Sequence, residues 1–283
     1  MWSVMAVMSA VLLGLYDVAK KKALQKNGVL AVLLVATALS TLFLAPFFRL
    51  GPSGDYLKLG LKAVLVTLSW ISGMIGLKLL PLTTVSTIKG SRPVFVVLLS
   101  IIIYGEHLNW MQWSGIALAL LALYLLGRSS KADGTVQARR TGFIWMGVSV
   151  LTGVASALYD KHIISGMEPL FLQSWGNFYI TVLLVVCVAV KALHDKEKRE
   201  RFKWDWMLVV IAVFITGADM LYFFALKQEG ALLSVISLIR RCSVVVTFVL
   251  GAIVFKESKV REKAVDLAIL MAGMGLLLYG SSI

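Results

Sequence analysis

The sequence predicts an all-α membrane protein: ten transmembrane helices arranged as two five-helix inverted repeats. Three observations carry this expectation. The 283 residues are 59% hydrophobic and 15% charged, against about 45–50% and about 25% in soluble domains. The apolar residues gather in ten runs of about 20, the length that crosses a bilayer at about 1.5 Å per residue. Segments of the first half then recur, in order, in the second.

The runs lie at 2–20, 29–48, 59–78, 82–104, 110–127, 142–163, 169–190, 205–226, 231–255 and 264–280, and short connections take up the remainder. The first has no basic n-region and leads into Lys20, Lys21 and Lys22, so it reads as a span and not as a cleaved signal peptide. Pro52, Pro81 and Pro169 fall at helix edges, where a residue without an N–H is tolerated. Trp2, Trp110, Trp113, Trp145, Trp204 and Trp206 sit near predicted helix ends, as an interfacial belt requires. The longest polar breaks are Arg128–Arg140 and Lys191–Lys203. The division that follows is a first repeat over 1–128, a linker over 129–140 and a second repeat over 141–283.

The repeat itself is explicit. Thr83–Lys89 aligns without gaps on Ser234–Arg240 at an offset of 151, and the same register carries Tyr104-Gly105-Glu106 onto Phe255-Lys256-Glu257. Leu15-Tyr16-Asp17 matches Leu158-Tyr159-Asp160 at an offset of 143; Leu77-Lys78 matches Leu226-Lys227, and Leu123-Tyr124 matches Leu278-Tyr279. An odd number of helices per half starts the second copy on the opposite side of the membrane. That is the inverted arrangement of many secondary transporters, with the site near the midplane between the halves.

Charge and residue usage exclude other classes. The chain carries 28 Lys+Arg against 15 Asp+Glu, but these lie between apolar runs, where membrane orientation explains them and a nucleic-acid partner does not. Cys187 and Cys242 lie inside apolar runs, and His107, His162 and His194 are scattered, so neither a disulfide framework nor a metal site is expected. Phosphate-loop and dinucleotide fingerprints are absent, as are the clustered acids an intramembrane enzyme would need. The expectation is a non-enzymatic, multi-pass protein of the cell membrane without cofactor, whose partners are a small-molecule substrate and membrane lipid.

Pro93-Val94-Phe95, then Gly105-Glu106, Gln112-Trp113-x-Gly115 and a closing helix of small residues and leucine resemble the EamA-type repeat of the drug/metabolite transporter superfamily. In the second copy Val244 replaces the proline and Lys256 the glycine, while Glu257 is kept. The resemblance implies ten helices, a central cavity and alternating access, with small polar metabolites or amino acids as cargo. It also implies cytoplasmic termini. The count of basic residues points the other way, with 19 beside the connections after odd-numbered helices and five beside those after even-numbered ones.

Charges inside a span are costly and mark function by default. The fourth span carries Ser86, Lys89 and Arg92 on one face, and Pro93 frees the Lys89 carbonyl, predicting a kinked cationic half-helix. The ninth carries Ser234, Ser237 and Arg241 at i, i+3 and i+7, with Arg240 beside them. Symmetry with Lys89 favours Arg240 for the cavity, whereas the serine stripe favours Arg241. The remaining basic residues read as surface charge. Asp17 and Asp160 are repeat mates, each after a tyrosine (Tyr16, Tyr159), and Asp219 lies deep in the eighth span. A carboxyl buried in a span can exchange protons near neutral pH, which makes Asp219 the first candidate for proton coupling. Trp70, Trp175 and Tyr222 are rings inside spans that could hold cargo or cover a cation, and Asn177 is a polar group at similar depth. Glu106 and Glu257 read as end caps or gate ion pairs. Four basic against three acidic groups favour cargo bearing a carboxylate or phosphate, or a zwitterion, moved by a secondary transporter; the alternative is a flippase for an amphiphilic lipid intermediate.

Overall fold

The computed structural model describes residues 2–104, 108–130, 134–163, 167–194, 202–226, 228, 236 and 239–280. Among them the chain is all helical: α1 (Trp2–Leu24), α2 (Val29–Leu44), α3 (Ser53–Leu79), α4 (Leu82–Gly90), α5 (Arg92–Tyr104), α6 (Trp110–Ser129), α7 (Val136–Ile163), α8 (Pro169–His194), α9 (Met207–Leu226), α10 (Ser243–Phe255) and α11 (Val260–Gly280), with a 3₁₀ turn at Ala45–Phe47. Seven helices, α1, α2 with its turn, α3, α6, α7, α8 and α11, contain stretches long and apolar enough to cross a membrane, and Met207–Tyr222 of α9 is a shorter apolar stretch.

Local chemistry sets the boundaries. Leu80, extended because Pro81 disfavours helix in the residue before it, separates α3 from α4. Asn109 opens α6 with a capping box, accepting from the Gln112 amide at 2.9 Å while Gln112 Oε1 accepts from the Asn109 amide at 3.0 Å. Several helices outrun their apolar cores. α1 continues to Leu24, α3 starts at Ser53, and α7 starts at Val136 inside the expected linker, because backbone hydrogen bonding continues past the end of an apolar stretch.

The fourth predicted span is not one helix. It breaks at Ser91, whose amide donates to the Ile88 carbonyl at 3.1 Å while the Val94 amide donates to the Ser91 carbonyl at 3.0 Å. These are i→i−3 turns, tighter than α. The same break recurs 151 residues later: Cys242 donates to Ile239 at 3.0 Å and Val245 to Cys242 at 2.9 Å. Only the first break has a proline two residues on, since Val244 stands at the second position. α4, at nine residues, is about 14 Å long, roughly half the hydrocarbon thickness.

Helix pairs come in matched sets. α3 lies along α7 as α1 lies along α9; α3 meets α8 as α2 meets α9; α2 meets α8, and α6 runs along α11. Glycines allow the close passes. A Cβ at Gly115 would stand 2.6 Å from the Gly273 carbonyl oxygen, and one at Gly273 would stand 2.7 Å from that of Gly115. A Cβ at Gly73 would meet the Ser149 hydroxyl at 2.7 Å and one at Gly76 the Met146 side chain at 2.6 Å, so these two glycines let α3 and α7 pass closely.

Candidate functional site

A cavity of about 190 Å³ opens among α1, α3, α7, the α4–α5 break and the start of α10. Its charged lining is one carboxylate, Asp17, and three cations, Lys20, Lys89 and Arg92. Lys89 Nζ donates to Asp17 Oδ1 at 2.8 Å, Lys20 Nζ stands 3.9 Å from the same oxygen, and Thr247 of α10 donates to Asp17 Oδ2 at 3.4 Å. Lys20 also lies 3.8 Å over the Tyr16 ring.

Arg92 is held differently. Its Nη2 donates to Ser69 Oγ (3.3 Å), Ser149 Oγ (3.2 Å) and the Ser149 carbonyl (3.4 Å). Ser69 and Ser149 each donate a hydroxyl to the other's carbonyl at 2.8 Å. Gly153 gives the guanidinium room, because a Cβ there would lie 3.0 Å from Cζ. Among the described residues no carboxylate lies within salt-bridge distance of Arg92, and its buried Nε has no hydrogen-bond partner. The cavity therefore presents more positive charge than its own carboxylate balances.

A second charged centre lies in the other half. Arg240 Nη2 bonds Asp219 Oδ1, Gln173 Nε2 donates to Asp219 Oδ2 at 3.1 Å, and the guanidinium stacks 4.5 Å over the Tyr222 ring. Arg241 is exposed. Of the two arginines it is the symmetry mate of Lys89, and not the residue of the serine stripe, that meets an acid.

The other expected site residues divide. Trp70 lines the cavity together with Tyr16, and Asn177 lines a small adjoining chamber. Trp175 and Tyr159 lie elsewhere, in an apolar cluster where the α2–α3 and α7–α8 connections meet. There the Trp175 indole donates to the Arg49 carbonyl at 2.8 Å and crosses Phe48 and Tyr56 edge-on, Tyr159 Oη donates to the Lys58 carbonyl at 3.4 Å, and Arg49 pairs with Glu168 at 2.8 Å. Trp175 is only seven residues into α8, which explains the correction: it is near a helix end. Ser86 also departs from expectation. It is buried and donates to its own helix's Thr83 carbonyl at 2.8 Å. The side chains of Asp160 and Ser237, and Glu106, lie outside the described residues.

Nothing in the sequence singles out Ser69, Ser149 or Gln173 for the site. Lys20, at i+3 from Asp17, reads in the sequence as a candidate ion-pair partner near the helix end; α1 runs four residues further and leaves it 8% exposed. Lys263 is likewise fully buried, one turn from Asp266, which accepts from Ser129 Oγ at 2.6 Å. Lys21 caps the end of α3, donating to the Leu77 carbonyl at 2.5 Å and to that of Leu80. Glu257 is an end cap of a kind: its carboxylate accepts from the Leu82 amide (2.5 Å), the Thr83 amide (2.9 Å) and the Thr83 hydroxyl (2.5 Å) at the start of α4.

Membrane-length helices around a charged cavity, with a helix broken beside it, mark a multi-pass membrane protein. The chain belongs to the EamA-like transporter family, whose model matches residues 1–128 and again 140–279. One solved protein crystal structure superposes with a TM-score of 0.63 over 97% of this chain and 95% of the other, at 13% identity, which speaks to the fold alone. No curated protein matches the chain.

Proposed function

We propose that this protein is a secondary transporter of a small anionic or zwitterionic metabolite. It would work by alternating access between two inverted five-helix repeats, 1–128 and 141–283, joined over 129–140, making ten spans in all. The repeat offsets, the helix breaks 151 residues apart and the matched helix pairs support the architecture. One observation carries the cargo class: three cations and a single carboxylate line the cavity. Lys89 and Arg92 are the anion-binding groups, Asp17 and Lys20 hold the balance, and Trp70 and Tyr16 supply apolar wall. Arg240 and Asp219 form the second centre, with Asp219 the residue through which protons would couple. Transport driven by a pH gradient should fail in Asp219→Asn while cargo exchange without a gradient survives.

The test is direct. Purified protein is screened for stabilisation by small anions, since a ligand that binds the native state raises its apparent stability. Hits are then assayed for uptake into proteoliposomes with wild type, Lys89→Met and Arg92→Gln. Wild-type rates in both variants would sink the proposal. The lipid-flippase reading has one observation of its own: an apolar groove of about 270 Å³, lined by Ile88, Phe95, Phe143 and Leu151, lies beside Ser91, the residue before Arg92. Flipping of a fluorescent lipid in the same vesicles, without anion uptake, would favour it.

A further inference from the structure

The 190 Å³ cavity adjoins a second chamber of about 20 Å³; the two share Tyr16, Lys20, Trp70, Met74 and Ile215 as walls. The small chamber differs in kind. Much of the rest of its wall is Val32, Leu33, Ala36 and Ile211, all buried. Three of its polar side chains are already hydrogen-bonded. Thr37 Oγ1 donates back to the Leu33 carbonyl at 2.7 Å, Ser40 Oγ bonds Thr216 Oγ1 at 2.9 Å, and Asn177 Nδ2 donates to Ser40 Oγ at 3.1 Å. Lys20 is turned to the Tyr16 ring and Asp17. The Tyr16 hydroxyl and Lys20 ammonium stand on the wall shared with the larger cavity, so a polar substituent reaching the Val32, Leu33, Ala36 and Ile211 wall would lose its water with no partner there to replace it.

Size is the second constraint. One water-sized sphere needs about 10–15 Å³, so the chamber has room for one to three carbons with slight give. The larger cavity exceeds the roughly 150 Å³ that holds a benzene molecule in an engineered protein core, which suits a polar body of about six to ten heavy atoms. We propose that the small chamber is a selectivity pocket that takes a short apolar branch, methyl to isopropyl, of a cargo whose anionic group lies among Lys89 and Arg92. This rests on the anion-cavity reading above and narrows it to small carboxylates with a short aliphatic branch. Ala36 is the residue through which the pocket is tuned. It sits on α2 and lines the small chamber but not the larger cavity, so its side-chain volume bears on the chamber.

The experiment is a stabilisation and competition series on the purified full-length protein: glycine, alanine, valine and phenylalanine, their 2-hydroxy acid counterparts, and inorganic phosphate. Apparent affinity should rise at least about tenfold from the hydrogen side chain to the best aliphatic one, the range a methylene or two contributes in an apolar pocket, and fall again for benzyl. Threonine should bind about tenfold or more weaker than valine. Ala36→Leu should move the optimum back to the smallest side chain, and Ala36→Gly should move it to a larger one. If Ala36→Leu does not fold, the shift in Ala36→Gly decides alone. An unchanged rank order in the folded variants overturns the pocket. If phosphate stabilises and side-chain size has no effect, the pocket falls and the anion cavity stands. If neither phosphate nor any acid stabilises wild type, both fall.

Discussion

Two charged centres occupy equivalent places in the two halves and are built differently. Lys89 and Arg240 are 151 residues apart and mates by alignment, yet their acids are not. Lys89 meets Asp17 of the first helix, whose mate by alignment is Asp160, whereas Arg240 meets Asp219 of α9. The Leu77/Leu226 register places Trp70 opposite Asp219. One half thus has a ring where the other has a carboxylate, and Trp70 lines the cavity. The first centre opens onto the cavity with surplus positive charge, while the second is paired, stacked on Tyr222 and bonded by Gln173. Equivalent cations held by non-equivalent acids suggest a division of labour, with binding on one side and coupling on the other.

The sharpest way to break this comparison is to remove one member of the first pair. Asp17→Asn leaves Lys89 and Lys20 beside a neutral amide in the membrane interior, a change that typically costs about 3–5 kcal/mol. Its apparent melting temperature in detergent should fall furthest of any variant here. The double variant Asp17→Asn/Lys89→Met should recover much of the stability and none of the transport. Full transport in the double variant would mean that the first centre is scaffolding. For the second centre, Arg240→Lys keeps the charge but loses the planar stack and fork. Uptake should drop about tenfold, about 1.4 kcal/mol, with the melting temperature nearly kept, and the pH dependence of transport should change more than the apparent affinity. A change confined to affinity would put cargo at Arg240 and erase the proposed division.

A third variant asks whether the halves depend on each other outside the two centres. Glu257→Gln weakens a charge-assisted cap on α4, with an expected cost of about 1 kcal/mol read as a lower melting temperature. Transport should shift in rate without a change in which anions compete. Asp205, two residues before α9 begins, is the control outside the helices. A hydrogen bond from Lys26, then one from the Met207 amide, holds its carboxyl below the usual range. Its stabilising effect is therefore present above the unfolded-state value, near 3.9, and lost as pH falls through the lower folded one. Asp205→Asn should cost at most about 1 kcal/mol at neutral pH, and the difference from wild type should shrink as pH falls below the unfolded-state value. Transport by Asp205→Asn should match wild type at neutral pH.

Much of this was legible in the sequence because a bilayer leaves few choices. Apolar run length located the helices, and the cost of intramembrane charge picked out Asp17, Lys89, Arg92, Asp219 and Arg240. What failed has physical reasons. Trp175 was judged by its place within an apolar run, which does not report depth in the folded bundle. Lys20 closes an apolar run but lies a full turn inside the helix, which continues to Leu24. Pro93 predicted a kink, and the chain does break beside it, but Cys242 breaks in the same way with Val244 in the proline's place. Proline is not required for the second break, and the sequence around Cys242 carries no comparable signal. Ser69 and Ser149 were invisible for another reason. Small polar residues in spans are common, and only the fold shows that these two bond each other beneath an arginine.

The cap that Glu257 places on α4 also has a consequence for biosynthesis. The Thr83 amide emerges from the ribosome 174 residues before the carboxylate that will accept its hydrogen bond. At about 5–20 residues per second this is roughly 9–35 s during which the start of α4 stands in or near the membrane with open backbone donors. The start of α4 lacks this cap until the connection between α10 and α11 has been made. A ribosome stalled before Glu257 would release a chain whose α4 has never been closed.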